Sequence, residues 1–412
     1  MWWLPTALWL ILLQSAPAAA PAADPAEAGI KALQAEKYEL AVQYLQQAVQ
    51  VDPKDYAAHF HLALANSLLG RDAEAIAGYR KVLELKPGLY EAELNLGMVL
   101  LRQKQAREAA PYLEQAAARK PTEFRPRLYL SDALFEAAEY AKAEESYKAA
   151  LALDQNSAAA ELGLARSQAR QNRIDEASPH YRRAAELDPS LKGGLLELAE
   201  LYEKAGRAAE AIPIYAQFPE NVAVRERLGQ LLVEAGRPEE AIPHLQWAVA
   251  TSPSSANRLA LAQAYRRAHQ PEKELPVLEQ AVAADPANLD LRMAYGRELR
   301  DQRKFAEAAQ QFSRVAQAKP DSVPAWNELA AMLVSLENYP QALAVLDRVR
   351  ALGGETAGHQ YLRALVLDRT RDLKGALESY EKFLAASQGK NPNEEFKARQ
   401  RILVLRRELE RR

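Results

Sequence analysis

His59 and His61 are the most closely spaced imidazoles in the chain, and a pair of imidazoles is a usual beginning of a metal site. Two residues apart on a helix, they point to different faces, and no acid follows either of them at the i+3 or i+4 spacing of a ligand set. His180 and His244 recur at equivalent places in two repeated stretches, so repetition accounts for them; His269 and His359 stand alone. Glu144-Glu145 and Glu239-Glu240 are paired carboxyls, the residue types of general acid/base chemistry. Adjacent on what should be exposed helix faces, they are explained by solubility. The chain has no phosphate-cradling glycine loop, nucleophile elbow or metalloprotease motif. It also has no cysteine, which excludes disulfides, thiol catalysis and thiolate zinc sites. These residues point to no catalytic centre, no metal and no cofactor.

A spacing repeats where a reaction motif does not. Leu96-Gly97-x2-Leu100, then Ala109-x3-Leu113-x2-Ala116, then Pro121 sets a ladder of small, large and turn-forming residues that returns along the chain. Pro53, Pro87 and Pro121 stand thirty-four residues apart; Gln155 holds the next place, Pro189 the one after, Pro253, Pro286 and Pro320 resume the series, and Gly354 closes it. Each follows an apolar helical run, where a residue without an amide hydrogen, or one tolerant of left-handed backbone, ends a helix. Self-similarity of this kind means that a unit unable to bury its apolar face alone is stacked on copies of itself.

Composition agrees. The 412 residues are too many for one compact core, yet Gly/Ser linkers and composition breaks are missing. Apolar residues make up 49% and aromatic ones only 7%, with Ala and Leu abundant and β-branched runs absent, so the fold class is all-α. A net charge of −2 argues against a nucleic-acid partner.

Residues 1–13, MWWLPTALWLILL, are apolar and uncharged, and QSAPAAAPAA follows. This reads as a secretory signal over 1–18, with cleavage expected after Ala18. Roughly twelve apolar residues at about 1.5 Å each span about 18 Å, short of a ~30 Å bilayer core. The expected location is therefore periplasmic or secreted, with contact to the membrane only through this segment if it stays uncleaved as an inner-membrane anchor.

Asp24-Pro25-Ala26-Glu27 should open the first helix, with Asp24 as cap and Glu27 at the place of a capping-box acid. The ladder then runs Gly29, Tyr38, Ala41, Leu45, Ala48, Pro53 and again Leu62-Ala63, Gly70, Ala75, Tyr79, Val82, Pro87. On these residues the chain resembles the tetratricopeptide repeat family, whose pattern is W-x2-L-G-x2-Y…A-x3-F…P. Leu198-Ala199-x2-Tyr202 with Ala211 and Tyr215 matches it best, and about eleven units cover nearly all of the chain after the signal. The resemblance implies a right-handed superhelical solenoid of helix-turn-helix repeats: units 1–6 over 19–220, units 7–11 over 221–388, and a capping helix over 389–412 whose apolar side is Phe396, Ile402, Leu403, Leu405 and Leu409. Two irregularities stand out. Ala199 and Gly229 are thirty residues apart instead of thirty-four, the loss falling at Gln217-Phe218-Pro219; Pro111, Pro179, Pro213, Pro243 and Pro276 form a column expected near the first turn of the second helices.

The family also implies a groove lined by the first helix of each unit. Carried over residue by residue, it gives Phe60, Leu64 and Leu68, then Leu94, Met98 and Leu101, then Leu128 and Phe135 beside Asp132, an apolar strip suited to a peptide or partner helix. Farther along, Arg266, Arg267, Arg297 and Arg300 form a patch for an anionic ligand, partly offset by Asp290, Glu298 and Asp301. The Lys and Asn of the chaperone-tail clamp found in some relatives are replaced here by Phe60 and Leu64. The expected function is a non-enzymatic protein-interaction scaffold of the bacterial cell envelope; the alternative is a glycan-processing enzyme, or its accessory subunit, built on a helical solenoid.

Overall fold

The computed structural model describes Asp24 to Arg411; the signal and its cut after Ala18 lie outside these residues. The described chain divides into two compact units, with the division falling between Arg207 and Ala208. The first is a stack of five helix hairpins and one further helix. Its elements are α1 (Pro25–Gln34) with α2 (Tyr38–Val51), α3 (Tyr56–Leu68) with α4 (Asp72–Leu85), α5 (Tyr90–Arg102) with α6 (Ala106–Arg119), α7 (Phe124–Glu136) with α8 (Tyr140–Leu153) and α9 (Ala158–Arg170) with α10 (Ile174–Leu187). A short 3-10 turn, Pro189–Gly193, then leads into α11 (Gly194–Lys204). The second unit begins with α12 (Ala208–Tyr215) and continues as α13 (Val222–Glu234) with α14 (Pro238–Thr251), α15 (Ser255–Arg267) with α16 (Pro271–Ala284), α17 (Leu289–Asp301) with α18 (Phe305–Ala318), α19 (Val323–Ser335) with α20 (Tyr339–Ala351) and α21 (Ala357–Arg369) with α22 (Leu373–Ser387). It closes on α23 (Pro392–Glu410). Among the described residues there is no strand, and no helix is long and apolar enough to cross a membrane. The fold is an all-α array of stacked helix-turn-helix repeats.

The prolines act as the sequence suggests. Pro53, Pro87, Pro121, Pro189, Pro253, Pro286 and Pro320 each stand two residues beyond a second helix. The residue in between is driven out of the helical region by the proline ring: Asp52, for example, has φ −127° and ψ 94°. Asp154 reaches the same conformation before Gln155, so the proline is sufficient there but not required. The series ends differently from expectation. α20 is stopped by Gly353, whose φ is 71°, and the adjacent Gly354 instead packs closely on Val323.

Inside the hairpins the helices are broken by one left-handed residue each. Glu36, Gly70, Lys104, Ala138, Asn172 and Gly206 follow one another at thirty-four residues, and Gly236, His269, Arg303, Glu337 and Arg371 continue the series in the second unit. The amide after each closes onto the preceding helix, as Glu139 N–H does on Leu134 O at 2.8 Å. Where this residue is not glycine its Cβ crowds the backbone at a cost of about 1 kcal/mol. Ala138→Gly should therefore raise stability by about 1 kcal/mol, read as a higher urea midpoint at unchanged slope; an unchanged midpoint would mean that the turn is not strained.

Small meets large at each hairpin. A Cβ added to Gly229 would lie 2.6 Å from Leu245 Cγ, and one added to Gly296 would lie 2.6 Å from Phe312 Cε1, so each glycine admits the large residue of the helix beside it. Glu27 departs from expectation by pairing forward with Lys31 at 2.6 Å, while Asp24 does cap α1 by accepting from Ala26 N–H at 3.1 Å.

The column of five prolines lies one turn later than expected. Pro111, Pro179, Pro213, Pro243 and Pro276 are each the sixth residue of their helices, where the missing amide leaves the carbonyl of the second residue without its helical partner. All five are exposed, so water can satisfy that carbonyl. α12 has only eight residues where the other second helices have thirteen to fifteen, which is the loss read at Gln217-Phe218-Pro219. The turn of residues 252–254 is one residue shorter than its counterparts, a second deletion that the ladder had concealed.

α23 covers the end of the stack. Ala398, Ile402 and Leu405 are buried against Ala364, Leu373, Ala376, Tyr380 and Phe383, and Leu409 packs at the edge. Phe396 and Leu403 do not join them. They are 64% and 51% exposed, about a quarter-turn or more from the buried line, because that line runs through 398, 402 and 405 at helical spacing.

Candidate functional site

In the first unit, α5, α7 and α9 place their free faces side by side, and a cavity of about 510 Å³ opens between them. Met98 and Leu101 from α5, Phe135 from α7, Leu162 from α9 and Leu191 from the 3-10 turn supply its apolar wall. Tyr129, Asp132 and Glu136 enter it from α7, since residues three and four apart share one helix face. Arg102, Tyr147 and Arg166 complete it. A second cavity of about 570 Å³ adjoins the first, sharing Phe135 and Arg166, and is lined by Arg170, Glu197, Glu200 and Lys204.

The charges at this site are unequally matched. Arg102 donates from Nε to Asp72 Oδ2 at 2.9 Å, and this bond holds the Asp72 carboxyl below its ordinary range. Arg166 donates from Nε to Glu197 Oε2 at 2.9 Å. Asp132 has no cation beside it; Tyr147 donates its hydroxyl to Oδ1 at 2.6 Å, and no ion pair to Asp132 exists among the described residues. Burial pushes its carboxyl up to about 6, the Tyr147 bond opposing and the nearby Glu136 charge reinforcing the rise. Tyr147 is pushed far up by the same burial and by Asp132.

The expected apolar strip divides in two. Met98, Leu101, Asp132 and Phe135 come together at the cavity. Phe60 and Leu94 are half-buried against the core of α4 to α7, with the Phe60 ring edge-on to the fully buried Tyr79 at 5.7 Å between centroids. Leu128 packs toward α8 and α9, Leu64 is half-buried, and Leu68 is exposed outside the cavity. Tyr129, Leu162 and Leu191 are the wall residues that reading by repeat position passed over; Leu191 could not be found that way, because it belongs to a 3-10 turn that the other units lack.

The four arginines expected to form the anionic-ligand patch all have acceptors. Arg266 pairs with Glu274 at 2.8 Å and Glu298 at 3.0 Å, both carboxylates buried, and Arg267 donates to Val233 O at 2.9 Å. Arg297 and Arg300 share Glu328 at 3.2 and 2.6 Å, and Arg300 also meets Asp301 at 2.9 Å. An anion would have to compete with these carboxylates.

Three of the six histidines have structural partners, while His244 Nδ1 is buried with none among the described residues. His59 Nε2 lies 3.1 Å from Pro53 O, His180 Nδ1 lies 2.6 Å from Glu161, and His359 joins Thr356 in capping α21. Among the described residues no group of three His, Asp or Glu could hold a metal ion. Glu144 is not a surface acid. It is 3% exposed, and although burial opposes its charge, bonds from Lys148, Gln171, Gln168 and Arg173 hold it down to about 2.

Comparison with known proteins completes the description. A tetratricopeptide repeat model matches residues 27–90, 94–159, 162–226, 214–256, 226–289 and 259–323, and a second model of that description matches 299–366. No curated protein matches the chain. Among solved structures, MamA from Desulfovibrio magneticus RS-1 is 26% identical, covering 40% of this chain and 97% of its own at a TM-score of 0.39. MamA of AMB-1 is 28% identical over 40% of this chain and 98% of its own, at 0.38. YrrB, described as a TPR protein with an unusual peptide-binding site, is 18% identical over 41% of this chain and 87% of its own, at 0.40.

Proposed function

The chain belongs to the tetratricopeptide repeat family, and from that premise we propose that it is a non-enzymatic scaffold of the bacterial cell envelope that holds a peptide or partner helix in the groove of its first unit. The observation that carries the reading is the cavity on α5, α7 and α9, where Met98, Leu101 and Phe135 stay accessible on a surface that elsewhere is mostly charged. Contiguous accessible apolar area of this kind marks an interaction site, and a helix laid into a groove supplies anchors at i, i+3 or i+4 and i+7. Export rests on the apolar segment 1–13 and the small residues Ala16-Pro17-Ala18.

Phe135 is the anchor to test, because its ring packs at 5.5 Å on Tyr140 and still faces the cavity. Phe135→Ala should weaken capture of a protein partner from envelope extract by at least ~2 kcal/mol, about thirtyfold in affinity, with the helical circular dichroism unchanged. Capture unaffected by the substitution would move the site out of this groove. Turnover of cell-wall fragments by the purified chain would favour a glycan-processing enzyme instead.

A further inference from the structure

The groove contains one ionisable group whose environment is incomplete. Asp132 sits on α7 among apolar wall residues, and its carboxylate accepts a single described bond, from Tyr147. Of the other charged or titratable groups lining the same cavity, Arg102 is bound to Asp72, Arg166 to Glu197, and Glu136 to Lys104 at 3.4 Å, while Tyr129 brings no positive charge. The two cations are thus already neutralised by their own carboxylates. A carboxylate in an apolar wall without a counter-ion is costly to ionise, and a cation brought against it removes that cost.

We propose that Asp132 anchors a single cationic side chain, lysine or arginine, carried on an apolar segment that lies along Met98, Leu101 and Phe135. This deepens the groove reading and rests on it. Charge complementarity selects the occupant: the unmatched charge of the cavity is negative, the wall beside it is apolar, and a segment with one basic residue among apolar ones answers both. An acidic tail is disfavoured by the same carboxylates. Tyr147 is the positioning residue, fixing Oδ1 and leaving the other oxygen without a described bond, available to the ligand.

The probes are n-butylguanidinium, an arginine side chain without its backbone, and n-butylurea, its neutral isostere. The full chain has four methionines, Met1, Met98, Met293 and Met332, so methyl-13C methionine labelling places one reporter in the cavity wall and two buried controls in the second unit. At pH 7.5 butylguanidinium should shift the Met98 methyl and leave Met293 and Met332 unmoved, binding at least about tenfold more tightly than butylurea. With Asp132 titrating near 6, that advantage should fall about tenfold by pH 5, as the carboxyl takes up its proton. Asp132→Asn should abolish it at both pH values, and the pH series on the unmodified chain decides the matter even if this variant does not fold.

Equal binding of the two probes would overturn the anchor and leave the apolar groove standing. A Met98 methyl that responds to neither probe would overturn the anchor as well; the groove reading is judged separately, by partner capture with Phe135→Ala. A preference for butylguanidinium over butylurea that survives Asp132→Asn would assign the cation to Glu136 and likewise overturn the proposal.

Discussion

Phe312→Ala is expected to remove about 3–5 kcal/mol of stability from the second unit, the usual cost of truncating a buried phenylalanine. The ring is fully buried in the cluster that joins α15 to α20, and it fills the space opened by Gly296 on the facing helix. The neighbours are helices held by their own hairpins, so they cannot collapse into the void without breaking other contacts. In an array where each repeat touches only its neighbours, the loss should stay near its origin. Hydrogen exchange should show faster opening of α17 and α18, with protection in α1 to α8 unchanged. Uniform loss of protection through both units would contradict this, and so would a change below about 1 kcal/mol.

Arg266→Met should cost about 3 kcal/mol at pH 8, the low end for breaking a buried ion pair, because the guanidinium itself is half exposed. It leaves Glu274 and Glu298, 3% and 6% exposed at their side chains, facing one another. Burial already raises the Glu274 carboxyl to about 7, with Arg266 pulling it down and Glu298 pushing it up. A carboxyl whose pKa rises on folding binds its proton more tightly in the native state, so its contribution is present below about 4.5 and is lost as the pH climbs through 7. Removing Arg266 raises it further and enlarges that loss. Urea denaturation should therefore show the deficit at pH 8 and much less of it at pH 5. A deficit independent of pH would show that Arg266 acts through its aliphatic stem alone.

The stack was legible in the sequence because its signals are local and repeated. A proline placed two residues beyond a helix holds the residue before it out of the helical region, and Gly229 or Gly296 makes room for Leu245 or Phe312 at a fixed offset. The groove was legible only in part. Met98, Leu101, Asp132 and Phe135 share faces that helical spacing identifies, but whether a face is covered depends on the adjoining helix. Phe60 illustrates this, since Tyr79 takes up its ring edge-on. The arginines escaped for a different reason. Each has a partner about one repeat away, such as Glu298 for Arg266 and Glu328 for Arg297, at separations where helix rules do not apply. Glu39 with Arg71, Asp72 with Arg102, Arg166 with Glu197 and Asp175 with Arg207 recur at nearly the same offset, so opposite charges thirty to thirty-two residues apart were the available signal.

The left-handed turn residues set a limit on the autonomy of each repeat. Glu36, Lys104, Ala138, Arg303, Glu337 and Arg371 are good helix formers placed where the helix must stop, so the local preference at these turns is to carry the helix straight on. What overrides it is the burial gained when the two arms fold together and meet the next hairpin. A single repeat cut from the chain lacks that next surface, and its arms should run on as one longer helix. Two such fragments could then recover the missing burial by exchanging arms, which makes arm exchange between copies the characteristic misfolding hazard of truncated forms of this chain.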